Sequence, residues 1–397
     1  MVSGRAYLDW NATAPLRAEA REAMGEAFDI VGNPSSVHGE GRAARKLIEA
    51  ARVQVAALAG AKPSDVVFTS GGTEANVQAL TPALVDGQDR RKRERLLVSA
   101  VEHPSVGAGG RFGPPERLAV TGAGTPDLSA LAAWLAVGRA NNAGMLVSVM
   151  LANNETGVIM PIRAIADLVH EAGGHLHVDA VQAAGKIPLD IAALGADFIS
   201  ISAHKFGGPK GVGALIKARD ALHIFDPLIP GGGQERGTRG GTENLIGIAA
   251  MGAAAQAAHE ALAQDTPKIA ALRDGMETRL RQLSGNTIIF GVDAAGEHPP
   301  QRLPNTTLFA VPGLKSETSV MALDLAGVAV SAGSACSSGK VAASPVLAAM
   351  GVPDEIATCA IRISIGPTTT QNDVDLFLHA WNERVSRLSN SQRGKAA

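Results

Sequence analysis

The stretch VVFTSGGTEANVQAL, residues 66–80, reads as a short apolar strand, a glycine turn and a helix in immediate succession. The same unit recurs on its C-terminal side. LLVSA (96–100), LVSVM (146–150), HLHVDA (175–180), FISIS (198–202) and GALIK (213–217) are further apolar runs, and PIRAIADLVHEAG (161–173) after the second of these has helical spacing. Strands alternating with helices predict an α/β fold with a mostly parallel sheet covered by helices on both faces. In open sheets of this kind ligands settle at the carboxyl ends of the strands. The polar residues that break these runs, Gly72, Thr73, His103, Asn154, Asp179, Gln182 and Lys205, stand at such ends and are the first candidates for function.

At 397 residues the chain exceeds the roughly 250–300 at which one hydrophobic core stops growing, which predicts two domains. A glycine-rich crossing (230–244) leads to an alanine-rich helix (246–262), and the boundary is expected near residue 260. Residues 15–260 form the large domain on this reading, and residues 1–14 with 261–397 form a smaller α+β domain. Within the latter, a helix at 267–283, strands at 287–290 and 305–311, a helix at 317–327, strands at 328–331 and 360–366, and a closing helix at 371–388 are expected. The tail 390–397 is expected to fray.

A formal net charge of −2 argues against a nucleic-acid-binding surface, and the short basic run at 90–95 reads as a solvated loop. No run of 18 apolar residues predicts a membrane span, and the first residues lack a signal-peptide profile, so the expected location is the cytoplasm. The two cysteines, Cys336 and Cys359, are too far apart for a CxxC-type metal pair, and a reducing compartment disfavours a disulfide between them. No metal site is expected.

Gly72 and Thr73 fall where a helix begins, so its free N–H groups and dipole suit an anion such as phosphate; Thr73 with Glu74 equally suits a plain helix cap. Asp179 ends an apolar strand, a costly place for a carboxylate unless it caps the next turn or pairs with a cation such as a protonated pyridine nitrogen. Gln182 then lies within reach of a neighbouring ring hydroxyl. Lys205 ends the alternating strand FISIS inside a glycine-rich turn, where desolvation and nearby positive charge permit a Schiff base with an aldehyde. Lys210, beside Pro209 and Gly211, reads as an exposed turn residue. Ser202 and His204 are placed to donate to a phosphate. His103 suits stacking on a flat ring and proton relay, or capping. Asn153 and Asn154 offer amides for a ring oxygen or a substrate amine.

The two thiols sit in opposite company. Cys359, in EIATCAIRIS, has apolar neighbours and reads as structural. Cys336, in the small-residue loop SAGSACSSGKVAASP, reads as a nucleophile tethered so as to reach a substrate and withdraw with its cargo. Arg362, in AIRISIG, suits bidentate pairing with a substrate carboxylate, with Asn33 of GNPSS assisting.

In order, YLDWNATAP (7–15), GNPSSVH (32–38), FTSGGTEAN (68–76), VEHPSV (101–106), NNETG (153–157), HVDAVQ (177–182), SAHKFGGPKG (202–211), GGGQERGTRGGTEN (231–244) and SAGSACSS (331–338) resemble the cysteine desulfurases of the class V aminotransferase-like enzymes. The cysteine-loop form resembles the nitrogen-fixation and iron–sulfur housekeeping group. The resemblance implies a fold-type I pyridoxal 5'-phosphate transferase with a seven-stranded sheet in its large domain. It further implies Lys205 as the cofactor-bearing lysine, Asp179 on the pyridine nitrogen, Gln182 on the ring oxygen and His103 as stacking and proton-transfer residue. Gly72, Thr73, Ser202 and His204 are implied as phosphate ligands, Asn154 as a cofactor and substrate contact, and Arg362 and Asn33 as holders of the substrate carboxylate. Thr242 matches a threonine that reaches the partner subunit's phosphate, implying a homodimer with shared sites. The implied reaction takes sulfur from L-cysteine onto Cys336, leaves alanine, and passes the sulfur to an acceptor such as an iron–sulfur scaffold protein. A selenocysteine lyase or an aminotransferase of the same fold is the alternative, and a non-catalytic scaffold is a third class. Ser331–Ala332 where many members have two serines, FGGPKG (206–211) where many have a tyrosine near the lysine, and a short segment after the last helix depart from the family pattern; the last leaves the scaffold partner open.

Overall fold

The computed structural model describes residues 4–292, 299–332 and 344–396, with side chains to residue 388. Cys336 and its loop lie outside the described residues.

Seven strands form the large sheet: β1 (Val66–Thr69), β2 (Arg95–Ser99), β3 (Glu116–Leu118), β4 (Met145–Met150), β5 (His175–Asp179), β6 (Phe198–Ser202) and β7 (Gly213–Lys217). Their spatial order is β1-β7-β6-β5-β4-β2-β3. All neighbours are parallel except those of β7, which runs antiparallel to β1 and β6. The reason for that exception is connection length. The link from β6 to β7 is too short for a crossover helix and must return as a hairpin. Lys205 sits in that link. The edge strand β3, only three residues and two of them exposed, carries no apolar alternation and is invisible in the sequence pattern.

The second sheet is antiparallel, with β8 (Ile288–Ile289), β9 (Thr306–Ala310), β10 (Ser331–Ala332) and β11 (Ala360–Ser364) in the order β8-β9-β11-β10. Alternation along β9 and β11 divides their side chains between two cores. Phe309, Ile361 and Ile363 join Phe377 and Trp381 of the closing helix, where the Phe309 and Trp381 rings meet edge-on at 5.1 Å. Leu308, Ala310 and Ala360 turn the other way, into the core of the large sheet. Arg362 is paired with Leu308, so it too faces the large sheet. The chain start is tied in here: Ala6–Tyr7 pairs with Val328–Ala329, and Asp9 bridges to Ser364.

Three local expectations are revised. The alanine-rich helix and the one expected at 267–283 are a single helix, Leu245–Leu283, with Pro267 inside it. Proline forfeits one hydrogen bond there, and burial of Ala254, Ala258, Met276 and Leu280 on either side keeps the rod continuous. This helix is long and apolar enough to cross a membrane by length and composition alone; it is packed between the two cores, with Ala258 in one and Leu280 in the other. The basic run is not wholly solvated, because Arg93 is 1% exposed and paired with Asp89 at 3.3 Å. The closing helix runs from Gln371 to Ala396, through the tail expected to fray.

Candidate active site

A cavity of about 570 Å³ opens at the carboxyl ends of the large sheet's strands. Gly72, Thr73, His103, Asn154, Asp179, Gln182, Ser202, His204 and Lys205 all line it. Nine residues chosen for their strand-end positions therefore share one wall. Its size suits a small organic cofactor.

The anion end is built by the helix Gly72–Ala79, which has no side-chain N-cap. Glu74 fastens the turn ahead of the helix, accepting from Ser70 N at 2.7 Å, and Arg239 donates to it at 3.1 Å. Thr73 is left exposed at the cavity. A Cβ on Gly72 would lie 2.8 Å from Val181 Cγ2 and 3.3 Å from Ser202 Cβ, so only glycine permits this approach of helix to strand end. His204 shares a 3.2 Å hydrogen bond with Thr13 Oγ1, and its pKa is pushed down to about 4 by burial, with Lys205, Lys210 and Lys186 adding to the effect. It is a neutral imidazole near pH 7.

Asp179 is buried. Its oxygens accept from Asn76 Nδ2 at 2.8 Å and Val181 N at 3.0 Å, and desolvation raises its pKa against these donors and against His103 and Lys205. Asn76 also donates to Ser105 Oγ at 2.9 Å, and Ser105 Oγ lies 2.8 Å from His103 Nδ1. A hydrogen-bonded chain thus joins Asp179 to His103. Because Ser105 N donates to His103 Nδ1 at 3.2 Å, the ring proton belongs on Nε2. His103 caps the helix Pro104–Gly107 and lines the cavity at once, so its two readings are compatible. Burial lowers its pKa.

Lys205 Nζ donates to Asn11 O at 2.6 Å and Ala12 O at 3.0 Å. Gln182 Nε2 donates to the same Asn11 carbonyl at 3.0 Å, and Lys186 Nζ donates to Gln182 Oε1 at 2.7 Å. Lys210 is exposed at the cavity mouth.

The remaining candidates lie elsewhere. Arg362 is 4% exposed and does not line the cavity; it donates to Asp9 Oδ1 at 2.8 Å and to the backbone carbonyl of Asn154 at 3.0 Å, and its Nε has no partner among the described residues. Asn33 is exposed, and its Oδ1 accepts from Ser35 N at 2.8 Å, closing its own turn. Thr242 is exposed on the glycine-rich crossing. That crossing is pinned by a buried pair, Arg52 to Glu235 at 2.8 Å, with Glu235 and Arg236 at φ 46° and 55°. Asn153 is a turn residue whose Oδ1 accepts from Glu155 N and Thr156 N, each at 2.9 Å. Cys359 is buried with Sγ toward Glu355 O at 3.3 Å. Asn11, Asn76, Ser105 and Lys186 were not singled out by sequence, although the first three fall within quoted motifs.

A glycine-bounded, buried-acid cavity at the strand ends of this sheet defines the class of protein: the Aminotransferase class-V family matches the chain over residues 6–377. A cysteine desulfurase of Cereibacter sphaeroides is 42% identical over 97% of this chain and 96% of its own length. An IscS-like cysteine desulfurase of Mycobacterium tuberculosis is 38% identical, with 96% of each chain covered. The solved structure of a NifS-like protein from Rickettsia africae superposes with a TM-score of 0.84 at 35% identity, covering 96% of this chain and 99% of that one. The chain belongs to the cysteine desulfurase family, as its motifs imply.

Proposed function

We propose that this enzyme uses pyridoxal phosphate in the strand-end cavity to remove sulfur from L-cysteine, releasing L-alanine and leaving a persulfide on Cys336. The observation that carries the reading is the convergence of nine residues from five strand ends on one cavity.

The residues fit the cofactor. Gly72 leaves a cradle that any side chain would fill, at the start of an uncapped helix beside Ser202. Asp179 is a buried carboxylate whose two donors are neutral, so a cationic ring nitrogen is its natural complement, and Asn76 Oδ1 is buried without a partner beside it. When bound, pyridoxal phosphate supplies an aldehyde for Lys205 and a ring that accepts electrons from the substrate α-carbon.

Each protein group then has a stated task. Gly72, Thr73, Ser202 and His204 would hold the phosphate. Gln182 would offer an N–H to the ring oxygen, and Asp179 would favour a protonated ring nitrogen. Lys205 Nζ would take the substrate α-proton and later return one. His103 Nε2 would meet the ring and exchange protons with substrate or thiol. Asn154 and Arg362 receive the substrate, with Arg362 offering its guanidinium to the carboxylate; the exposed Asn33 contributes least. The Cys336 thiolate attacks the substrate sulfur: an S–S bond forms, the carbon–sulfur bond breaks, and the electron pair left on the carbon side is protonated to give alanine.

Thr242, exposed on its pinned loop, serves the phosphate of a second copy, which makes the working unit a homodimer. The division into residues 15–260 and 1–14 with 261–397 separates cofactor binding from the cysteine loop. The persulfide passes to an acceptor protein such as an iron–sulfur scaffold, in the cytoplasm, where reducing conditions keep Cys336 available. Incubation with L-cysteine followed by mass measurement of the Cys336 peptide tests the reading: a gain of one sulfur atom there, together with loss of alanine formation in Cys336→Ala, is expected. Undiminished alanine formation in that variant would refute transfer through this thiol.

A further inference from the structure

One cation behind the cavity has no task in the reaction just described. Lys186 follows β5 by seven residues, and its side chain borders a second cavity of about 250 Å³ that Lys205 also lines. Its Nζ lies 2.7 Å from Gln182 Oε1 and 2.9 Å from Asn11 Oδ1. Burial holds its pKa well below the usual lysine range, with Lys205 and Arg362 acting in the same direction. A lysine kept there at such a cost in desolvation is specifying something.

What it specifies follows from donor chemistry. A glutamine amide presents an oxygen and a nitrogen that are nearly interchangeable in shape, so its orientation is decided by its partners. The Asn11 carbonyl only accepts, so the Gln182 atom facing it is the nitrogen, and the atom facing Lys186 Nζ is the oxygen, to which the amine donates. The Gln182 nitrogen is then turned away from Lys186. One of its hydrogens goes to Asn11 O at 3.0 Å, and the other remains for the cofactor cavity that Gln182 lines. The Asn11 amide is oriented by the same logic: its Oδ1 receives Lys186 Nζ and Asn305 Nδ2, and its Nδ2 donates to Thr306 Oγ1 at 2.9 Å.

We infer that Lys186 is a positioning residue that locks the Gln182 amide with its N–H toward the cofactor's ring oxygen. The inference rests on the pyridoxal phosphate reading and adds to it a residue that touches neither cofactor nor substrate. Its consequence is electronic. An N–H donor to the ring oxygen favours the anionic oxygen, and so favours loss of the proton from the lysine-bound chromophore. Without Lys186 the amide keeps only the Asn11 carbonyl as an anchor, its N–H is held less firmly toward the ring oxygen, and the chromophore holds its proton to higher pH.

The experiment is a pH titration of the visible absorbance band of the pyridoxal phosphate-loaded protein, with cofactor affinity measured alongside by equilibrium dialysis. Lys186→Met is expected to raise the band's pH midpoint by about one unit, a tenfold change in the protonation equilibrium, and to weaken cofactor binding. Lys186→Arg, which retains a donor-only head, is expected to restore the wild-type midpoint, and it remains informative where the methionine variant fails to fold. In a Gln182→Leu background, Lys186→Met is expected to add no further shift, because no amide is left to orient. A wild-type midpoint in Lys186→Met, a shift of equal size in the Gln182→Leu background, or a Lys186→Arg midpoint displaced by a full unit overturns the inference while leaving the cofactor reading intact. Absence of the band from the wild-type protein supplied with pyridoxal phosphate overturns the cofactor reading and the inference together.

Discussion

The seven-stranded sheet and the four-stranded sheet both send polar residues toward the same region, but in different states of readiness. At the ends of β4, β5 and β6 the side chains of Asn154, Asp179 and Lys205 already face a formed cavity, and Asp179 and Lys205 are held by short hydrogen bonds to neutral groups. On β11, Arg362 is turned the right way by strand alternation, yet its guanidinium is engaged by Asp9 and by the carbonyl of Asn154 and stands outside the cavity wall. On the function proposed above, the large sheet builds a cofactor cradle in advance. The small sheet would hold its charge in reserve, on partners that a substrate carboxylate would join or displace.

That contrast is breakable at its strongest point by Asp179→Ala. Losing the buried anion is expected to cut alanine formation from cysteine about 10²–10³-fold, the range for removing one preorganised electrostatic partner; a loss under tenfold, measured at saturating cofactor, would mean that Asp179 is a structural cap. Arg362→Ala is expected to act on the substrate instead, raising KM about 10–100-fold with kcat changed only a few-fold, as removal of uniform carboxylate binding requires. Equal losses in kcat and kcat/KM would place Arg362 with the transition-state machinery and erase the distinction.

An effect on stability rather than on turnover concerns the seam between the sheets. Glu155 lies against Ser344, with Oε2 to Oγ at 2.5 Å, and burial pushes its pKa up to about 7 from 4.5. Between about pH 4.5 and 7 the folded protein holds a proton on Glu155 that the unfolded chain lacks, so this group's contribution is greatest below pH 4.5 and is lost as pH rises to 7. Glu155→Gln removes the titration. Its stability relative to wild type is expected to rise across that window by on the order of 3 kcal/mol, read from denaturant unfolding at several pH values, and a pH-independent difference would show that Glu155 is not the titrating group.

The fold and the first ring of the site were legible because they leave local marks. The apolar runs that lead into His103, Asp179 and Lys205 violate their own pattern, and these three line the cavity, whereas Lys217 at the end of GALIK does not. Strand order is not local: β7 lies between β1 and β6 because of a tight return that periodicity does not encode. The single helix across Pro267 was hidden because proline reads as a stop, whereas contacts on both sides decide continuity. Least legible were Asn11, Asn76, Ser105 and Lys186. Their roles arise from meetings across the chain, Asn11 with Lys205 and Asn76 with Asp179, and an asparagine in a turn looks the same whether or not it supports a catalytic lysine. Asn33 is the opposite case, an amide in a matching motif whose oxygen accepts within its own turn.

Three lysines, Lys186, Lys205 and Lys210, stand close to this site, and Lys205 is the one proposed to carry the cofactor. Reductive trapping of bound pyridoxal phosphate with borohydride, followed by peptide mapping, asks the protein directly. The label is predicted on Lys205 alone. A label on Lys210 at the mouth or on Lys186 behind Gln182, with Lys205 unmodified, would contradict the assignment on which the rest depends.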